Sequence, residues 1–272
     1  MKILIIGGSG LLGSNLFNSF KSRHDVASPT RQILDLENSF EFTNFDNDFN
    51  VLIYCAQYRP KPNQKTDFNS LERVNGACIS SFIKLMPRLQ KIIYMSSGGI
   101  YQDSDVLLSE NSPIKTSGEI TPYYESKLKT EEMLLDLSKS FSINILRIFT
   151  MYGFGVHPTS LFPRLRDKLV KGEVINSSRD LGDRLRPVHV LDVVKTVDQL
   201  LNYNESAIFN IGGPEVLFFQ DIVRKVAKQI SCVPKFQISE ERQNTLAPDN
   251  KLLSKVLYTP EIHFSGRWDS LS

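Results

Sequence analysis

Short apolar runs alternate with longer amphipathic stretches through the first half of the chain. Five runs predict strands, at residues 3–6, 25–28, 51–55, 91–95 and 143–148. Strands this short and apolar are typical of a parallel sheet that is covered on both faces. Helical periodicity over about residues 67–89 and 123–140 separates the later strands. The alternation predicts an α/β fold with a doubly wound parallel sheet.

The pattern loosens after about residue 153. Three helical stretches follow, near residues 160–171, 191–203 and 218–231. Proline, glycine and short apolar pieces, such as residues 208–211, interrupt them. We therefore predict a large domain over residues 1–155 and a smaller lobe over residues 156–272 that is partly interleaved with it.

Composition and charge exclude several classes of protein. The formal net charge is +2, which argues against a nucleic-acid-binding domain, since such a domain carries a basic stripe. Three widely spaced cysteines and four histidines without metal-ligand spacing predict a reducing compartment and no metal site. The N-terminal apolar run is too short for a signal peptide, and no apolar span of about 18 residues follows. We predict a cytoplasmic protein that does not enter a membrane.

A glycine-rich turn follows the first predicted strand directly. The spacing of Gly7, Gly10 and Gly13 lets the backbone turn sharply, approach a pyrophosphate and pack the next helix on the strand. The pyrophosphate would lie at the positive N-terminal end of that helix, against Leu11 and Leu12. The alternative is an ordinary strand–helix turn, and a kinase-type phosphate loop is disfavoured because no Gly-Lys-Ser/Thr follows. The turn predicts a dinucleotide site.

The end of the second predicted strand selects between two dinucleotides. An acidic residue there binds the ribose 2′-hydroxyl of NAD, whereas an arginine accommodates the 2′-phosphate of NADP. No carboxylate ends this strand, and Arg31 follows it, with Ser28 and Thr30 as further donors. We therefore predict NADP, with NAD as the alternative, and place Asp35 and Leu36 beside the adenine. An exposed loop arginine without a ligand is the competing interpretation of Arg31.

Tyr123 and Lys127 are four residues apart in a predicted helix and therefore share one face. A lysine ammonium, together with the positive charge of an oxidised nicotinamide, lowers the pKa of a tyrosine and equips it for proton transfer. The same lysine can hydrogen-bond the nicotinamide ribose. Ser97 follows the predicted strand at residues 91–95, where a doubly wound sheet presents its ligands, and is predicted to bond the substrate oxygen. Ser96 is the alternative serine, and a surface pair is the competing interpretation of Tyr123 and Lys127.

Taken together, these segments resemble the extended short-chain dehydrogenase/reductase family, and more narrowly its NAD-dependent epimerase/dehydratase branch of nucleotide-sugar enzymes. The matching segments are Gly7-Gly8-Ser9-Gly10-Leu11-Leu12-Gly13, Cys55-Ala56, Val74-Asn75, Ser96-Ser97-Gly98-Gly99-Ile100-Tyr101, Tyr123-x-x-x-Lys127, Leu146-Arg147 to Tyr152-Gly153, Arg186 to Val193 and Asn210-Ile211-Gly212. The resemblance covers about residues 1–230. It implies a Rossmann-type dinucleotide-binding domain with a smaller C-terminal lobe that binds the substrate, and a homodimer.

The resemblance assigns roles to individual residues. Ser97, Tyr123 and Lys127 would be the catalytic residues of a reaction on a nucleotide-activated sugar. Arg184 and Arg186, in the second lobe, are predicted contacts of the substrate diphosphate, because a guanidinium fork suits phosphate oxygens. Surface arginines flanking a turn are the alternative for these two residues.

Two departures from the family pattern refine the expected function. Cys55 replaces the first residue of an alanine pair, which leaves Ala56 beside the cofactor. Thr150 stands where many epimerases of this branch carry asparagine, which argues against a UDP-galactose-type epimerase. Arg31 and the short chain between the first and fourth strands resemble the reductases of deoxysugar biosynthesis, and we therefore predict an NADP-dependent reductase of a 4-keto-6-deoxy nucleotide sugar. The alternatives are an NAD-dependent nucleotide-sugar epimerase and a non-catalytic dinucleotide-binding regulator.

Overall fold

The computed structural model describes residues 1–38, 47–59, 65–116 and 118–268, and the chain forms two compact units. The first unit comprises Met1–Ile100, Lys115–Arg147 and Val197–Phe209. The second comprises Tyr101–Ile114, Ile148–Thr196 and Asn210–Ser272. The predicted division of the chain at residue 155 stays a prediction.

The helices and strands follow the predicted alternation. In the first part of the chain they are β1 (Lys2–Ile6), α1 (Leu11–Phe20), β2 (Asp25–Ala27), β3 (Val51–Tyr54), α2 (Phe68–Glu72), a π-helical turn (Arg73–Ala77), α3 (Ile79–Leu85), β4 (Lys91–Ser97), a 3₁₀ turn (Gly98–Ile100), α4 (Pro122–Asp136) and β5 (Ser142–Ile148). Later come β6 (Met151–Tyr152), α5 (Leu161–Val170), β7 (Val174–Ser177), β8 (Arg184–Leu185), β9 (Val188–His189), α6 (Val190–Leu200), β10 (Ala207–Ile211), β11 (Leu217–Phe218), α7 (Phe219–Gln229), β12 (Lys235–Ile238), β13 (Thr245–Leu246) and α8 (Lys251–Val256).

Six strands form the central sheet in the order β10-β5-β4-β3-β1-β2. The pairs β1–β2, β1–β3 and β3–β4 are parallel. The side chains of Ile3, Leu4 and Ile5 are fully buried, as expected for a strand that is covered on both faces. This is the predicted Rossmann-type α/β fold with a doubly wound parallel sheet. The apolar piece at residues 208–211, which the sequence pattern placed among the elements of the second lobe, belongs to the edge strand β10.

The predicted helix over residues 67–89 is wrong as a single element, because it is interrupted by the π-helical turn and ends earlier, at Leu85. A wide turn leaves backbone carbonyls without their usual helical partners. Two fully buried tyrosines on the sheet satisfy them: the Tyr54 hydroxyl donates to the Val74 carbonyl at 2.7 Å and the Tyr94 hydroxyl to the Asn75 carbonyl at 2.6 Å. The interruption is therefore fixed by tertiary contacts that helical periodicity does not reveal.

None of the helices among the residues that the structure describes is long and apolar enough to cross a membrane. Within the same ranges, no group of three or more His, Cys, Asp or Glu side chains is arranged to hold a metal ion.

Lys91, at the start of β4, is a buried lysine that caps the end of α6. Its ammonium donates to the carbonyls of Leu200 at 2.6 Å, Leu201 at 3.0 Å and Tyr203 at 2.7 Å. A cation at a helix C-terminus satisfies carbonyls that the helix leaves open and interacts favourably with the helix dipole. The three bonds fasten the chain that leads from α6 into β10 to the start of β4.

Replacing Lys91 with methionine should lower the free energy of unfolding by about 2–3 kcal/mol, since it removes charge-assisted bonds from buried carbonyls. Urea unfolding followed by circular dichroism measures the change. The exposed Lys139, changed to methionine in the same way, serves as the control and should unfold like the wild type. Equal unfolding midpoints for both variants would show that the Lys91 bonds add nothing to stability.

Candidate active site

The parallel register brings the ends of three strands to one edge of the sheet. Ile6 of β1 is aligned with Tyr54 of β3, which is aligned with Tyr94 of β4. The residues that follow these positions therefore leave the sheet side by side: the glycine turn from Gly7, the pair Cys55-Ala56, and the end of β4 with Ser97. Carboxyl ends of parallel strands are where such sheets bind ligands.

The glycines of the turn allow protein backbone segments to approach one another closely. Gly7 has φ +89°, and a Cβ built on it would lie 2.7 Å from the Ala56 amide nitrogen. A Cβ on Gly13 would lie 2.3 Å from the Gly7 carbonyl oxygen. At the start of α1, Gly10 has no side chain to cap the helix, so the first amide groups are left for an anion. The turn thus fits a pyrophosphate bound by the backbone.

The leucines at the start of α1 were predicted to lie against the cofactor. The Leu12 side chain is buried and that of Leu11 is partly buried. The contact of both residues with the cofactor stays a prediction.

Arg31 lies in the loop after β2, close to two carboxylates. Its Nη2 is 2.8 Å from Glu37 Oε1, and its Nε is 3.5 Å from Asp35 Oδ1. The Arg31 side chain is 62% exposed. Leu36, between the two acids, packs against the core of the sheet, and its carbonyl accepts a bond of 2.9 Å from Arg73. The charge of Arg31 is thus already balanced by Asp35 and Glu37. Contact of Arg31, Asp35 and Leu36 with a cofactor stays a prediction.

Lys127 lies on α4 with its side chain almost fully buried against the sheet. Its ammonium donates to the Met95 carbonyl of β4 at 3.0 Å and lies 4.8 Å from the centre of the Tyr94 ring. The centre of the Tyr123 ring is 5.9 Å from the same ammonium. The lysine and the tyrosine share one face of α4, as their helical spacing predicts, and in the structure this face meets the end of β4.

Burial is the largest influence on the pKa values of Tyr123 and Lys127. Burial and the neighbouring Tyr124 raise the pKa of Tyr123, and the Arg59 guanidinium only partly opposes them. Burial also lowers the pKa of Lys127 to about 8, although Cys55 and Glu131 favour its charged form. In the protein itself, desolvation of the phenol outweighs the nearby positive charge. The lowering of the Tyr123 pKa by Lys127 together with an oxidised nicotinamide stays a prediction.

A buried ion pair joins α4 to the two neighbouring strands. Arg147 of β5 donates to Glu131 of α4, with 2.6 Å between Nη2 and Oε2 and 3.1 Å between Nε and Oε2. Their side chains are 5% and 3% exposed. The Ser96 hydroxyl donates to the other carboxylate oxygen of Glu131. Because Ser96 is engaged in this way and is buried, Ser97 is favoured over Ser96 as the serine that meets the substrate.

Sequence reasoning gave no role to several groups in this region. Asn75 is fully buried in the π-helical turn, accepts a bond of 2.8 Å from the Tyr58 amide and donates to Ser126 at 2.9 Å. Ser126 in turn donates to the Tyr123 carbonyl at 2.7 Å. The resemblance had pointed to Asn75 without a role, whereas nothing in the sequence pattern pointed to Arg59.

Arg184 and Arg186 belong to the second unit, and their guanidinium groups are bonded to protein oxygens. Arg184 donates to the Thr245 hydroxyl at 2.8 Å and to the Asp105 carbonyl. Arg186 donates to the carbonyls of Gly213 at 2.7 Å, Pro248 at 2.9 Å and Pro214 at 3.2 Å. These bonds hold loops in place, and contact of either arginine with a diphosphate stays a prediction.

Replacing Glu131 with glutamine should lower the free energy of unfolding by about 3 kcal/mol, because it leaves the buried Arg147 charge without its counterion. Urea unfolding measures the change. Glu125→Gln, on the exposed side of α4, is the matched control, since Glu125 only meets Lys129 at 3.5 Å on the surface. The interpretation fails if the two glutamine variants are equally stable.

Comparison with known proteins identifies the family. The sequence model of the NAD dependent epimerase/dehydratase family matches residues 3–212. The uncharacterized UDP-glucose epimerase YtcB of Bacillus subtilis (strain 168) is 24% identical, over 96% of this chain and 93% of that protein. The chloroplast stem-loop binding protein of 41 kDa b of Arabidopsis thaliana is 28% identical, over 84% of this chain but only 62% of its own length.

A solved structure shares the fold over almost its whole length. UDP-glucuronic acid 4-epimerase from Bacillus cereus, in complex with NAD, superposes with a TM-score of 0.79 at 23% identity and covers 99% of this chain and 96% of that one. At this identity the likeness shows the fold alone. The match to the family model extends over most of the sequence, and the chain therefore belongs to the NAD dependent epimerase/dehydratase family.

Proposed function

We propose that this chain is a nucleotide-sugar 4-epimerase that works with a retained NAD. The observation that carries the proposal is the position of Tyr123 and Lys127 on α4, beside the sheet edge from which the glycine turn and Ser97 emerge. Lys127 interacts electrostatically with Cys55. Ala56, which follows Cys55 in the chain, packs against Gly7. The lysine is therefore close to the turn that fits the pyrophosphate.

Each of the three side chains has a distinct task in this proposal. When bound, the nicotinamide supplies the acceptor and donor for the hydrogen on the sugar carbon. Tyr123 Oη takes the proton of the C4 hydroxyl as that carbon is oxidised, and returns it once the sugar has presented its other face. Ser97 Oγ bonds the same oxygen, and the Lys127 ammonium bonds the nicotinamide ribose and favours the phenolate.

The surroundings of Arg31 support NAD over NADP. The 2′-phosphate of NADP would bring further negative charge to a place that already holds Asp35 and Glu37. Arg31 is occupied by both carboxylates and is not an isolated cation. The Bacillus cereus structure of the same fold also holds NAD.

A UDP-hexose is the proposed substrate. The names of the Bacillus subtilis relative and of the Bacillus cereus structure refer to UDP-glucose and UDP-glucuronic acid. In the second unit, Arg184 and Arg186 remain the proposed contacts of the diphosphate, although substrate would have to compete with the protein oxygens that they now meet.

An NADP-dependent reductase of a 4-keto-6-deoxy nucleotide sugar is the second candidate. Two observations favour it. Ser28 directly follows β2, where a carboxylate would bind the ribose of NAD, and its hydroxyl donates to the Ile5 carbonyl at 3.2 Å. Thr150 stands in place of the asparagine of many epimerases of this branch, even though its backbone φ of +33° is a conformation that asparagine adopts more readily than a β-branched residue.

A non-catalytic dinucleotide-binding protein is the third candidate. The name of the Arabidopsis thaliana relative refers to binding of a nucleic-acid stem-loop, and this chain matches 62% of its length. Ser97, Tyr123 and Lys127 are all present and close to the glycine turn. A protein that only bound a dinucleotide would not need this set, which supports catalysis.

The decisive experiment has two assays of the purified protein. The first offers UDP-glucose and UDP-glucuronic acid in the presence of NAD. The second offers 4-keto-6-deoxy sugars linked to dTDP, CDP, GDP or UDP in the presence of NADPH. We expect the C4 epimer of a UDP-sugar to form without net formation of NADH. Tyr123→Phe should lower turnover about a hundredfold or more while NAD binding is retained. Consumption of one NADPH per keto sugar would refute the epimerase proposal and support the reductase. Activity on no sugar in either set would favour the non-catalytic candidate.

The affinity of the unliganded protein for NAD should fall as the pH rises through about 8, where the Lys127 ammonium loses its proton. Below that pKa the ammonium donates to the ribose, and loss of one charge-assisted bond weakens binding about tenfold or more. Tryptophan fluorescence or calorimetric titration from about pH 6 to about pH 9.5 measures the affinity for NAD. Lys127→Met should bind more weakly and show no such pH dependence. A wild-type affinity that is constant over the range would remove the lysine from the cofactor site.

A further inference from the structure

Tyr124, directly after the proposed proton carrier, is a second tyrosine in the same site. The two rings meet edge to face, with 5.1 Å between their centres and 65° between their planes. Both residues lie in the first turn of α4, and both are partly buried. Packing of the Tyr124 ring therefore holds its hydroxyl near the reacting groups.

The ring of Tyr124 lies against the bare Cα of Gly99. A Cβ built on Gly99 would be 2.3 Å from Cζ, 2.4 Å from Oη and 2.5 Å from Cε1 of Tyr124. Any side chain at position 99 would collide with the ring, since real Cβ contacts are longer than about 3 Å. Gly99 thus provides the space that brings the Tyr124 hydroxyl to the end of β4.

Ser97 is the residue that this hydroxyl meets. The Tyr124 hydroxyl lies over Gly99, two residues after Ser97, and is near enough to the serine for Ser97 to lower the pKa of the phenol. The Gly99 amide also donates to Ser97 Oγ at 3.2 Å. A serine hydroxyl has one proton to donate and two lone pairs that accept. If the amide and the phenol occupy both lone pairs, the one Ser97 proton is left to point at a third oxygen.

We propose that Tyr124 is a positioning residue that donates to Ser97 Oγ and thereby directs the Ser97 proton to the substrate oxygen. The proposal rests on the proposed function, in which that oxygen is the C4 oxygen of the sugar. Either hydroxyl can donate before the substrate arrives, and the arrival of an acceptor beside Ser97 selects the direction phenol to serine to sugar. Burial raises the pKa of Tyr124, which keeps the phenol protonated as a donor, although Ser97 opposes this shift.

Tyr124→Phe removes the hydroxyl and keeps the ring against Gly99. We expect kcat to fall about threefold to tenfold, the usual effect of one uncharged hydrogen bond, with KM for the nucleotide sugar and NAD affinity unchanged. Tyr203→Phe is the matched control: it removes a phenol that bonds Glu205 at 3.2 Å, away from the site, and should leave kcat as in the wild type. A wild-type kcat for Tyr124→Phe would overturn the proposal.

The double variant Ser97→Ala/Tyr124→Phe tests whether the tyrosine acts through the serine. In the Ser97→Ala protein, which should already have lost about a hundredfold in kcat, Tyr124→Phe should change kcat less than twofold. Independent effects that multiply would show that Tyr124 works without Ser97 and would overturn the proposal. A merely structural tyrosine would also raise KM or weaken NAD binding in the single variant.

Thermal unfolding of the same four proteins gives a measurement that needs no substrate. Tyr124→Phe should lower Tm by about 2–4 °C in the wild type and by much less when Ser97 is alanine, because the shared bond is then already absent. If the wild type converts no nucleotide sugar, the proposed function fails, and this cycle alone decides the pairing. Equal losses of Tm in both backgrounds would refute the pairing of Tyr124 with Ser97.

Discussion

Glu131 places a buried carboxylate between Arg147 of β5 and the Ser96 hydroxyl of β4, and so fastens α4 to two strands at once. One turn earlier on the same helix, Lys127 reaches the Met95 carbonyl. Ion pairs that are this well buried contribute to one specific geometry more than to net stability. The positions of Tyr123 and Tyr124 relative to Ser97 follow from this attachment, because all of them lie on the helix and the strand that Glu131 joins.

The strands and the glycine turn could be predicted because their causes are local. Continuous apolar runs predict buried parallel strands, and Gly7 follows β1 directly. The four-residue spacing of Tyr123 and Lys127 likewise predicts that both side chains lie on one face of a helix. The break in the helix after Glu72 could not be predicted, since it depends on hydroxyls of Tyr54 and Tyr94 that are distant in sequence. Helical periodicity reports which face is apolar and not which carbonyls a partner will satisfy.

The charged residues were harder to interpret than the apolar ones. Arg31 had been interpreted as a cation for a phosphate, yet Glu37 comes within 2.8 Å of it in the folded loop. The sequence predicts that Lys127 and an oxidised nicotinamide together lower the pKa of Tyr123, and burial in the protein itself acts in the opposite direction. In both cases the sequence showed the presence of a charge, but its effect depends on distances and desolvation that only the folded chain defines.

The fit of Tyr124 against Gly99 constrains the order in which these two positions can change during evolution. A side chain at position 99 collides with the tyrosine ring, so alanine or serine is admitted there only after Tyr124 has become a smaller residue. The reverse order passes through an intermediate in which the ring must leave the site. The two positions are therefore epistatic, and among descendants of this chain a tyrosine at 124 should be found only together with a glycine at 99.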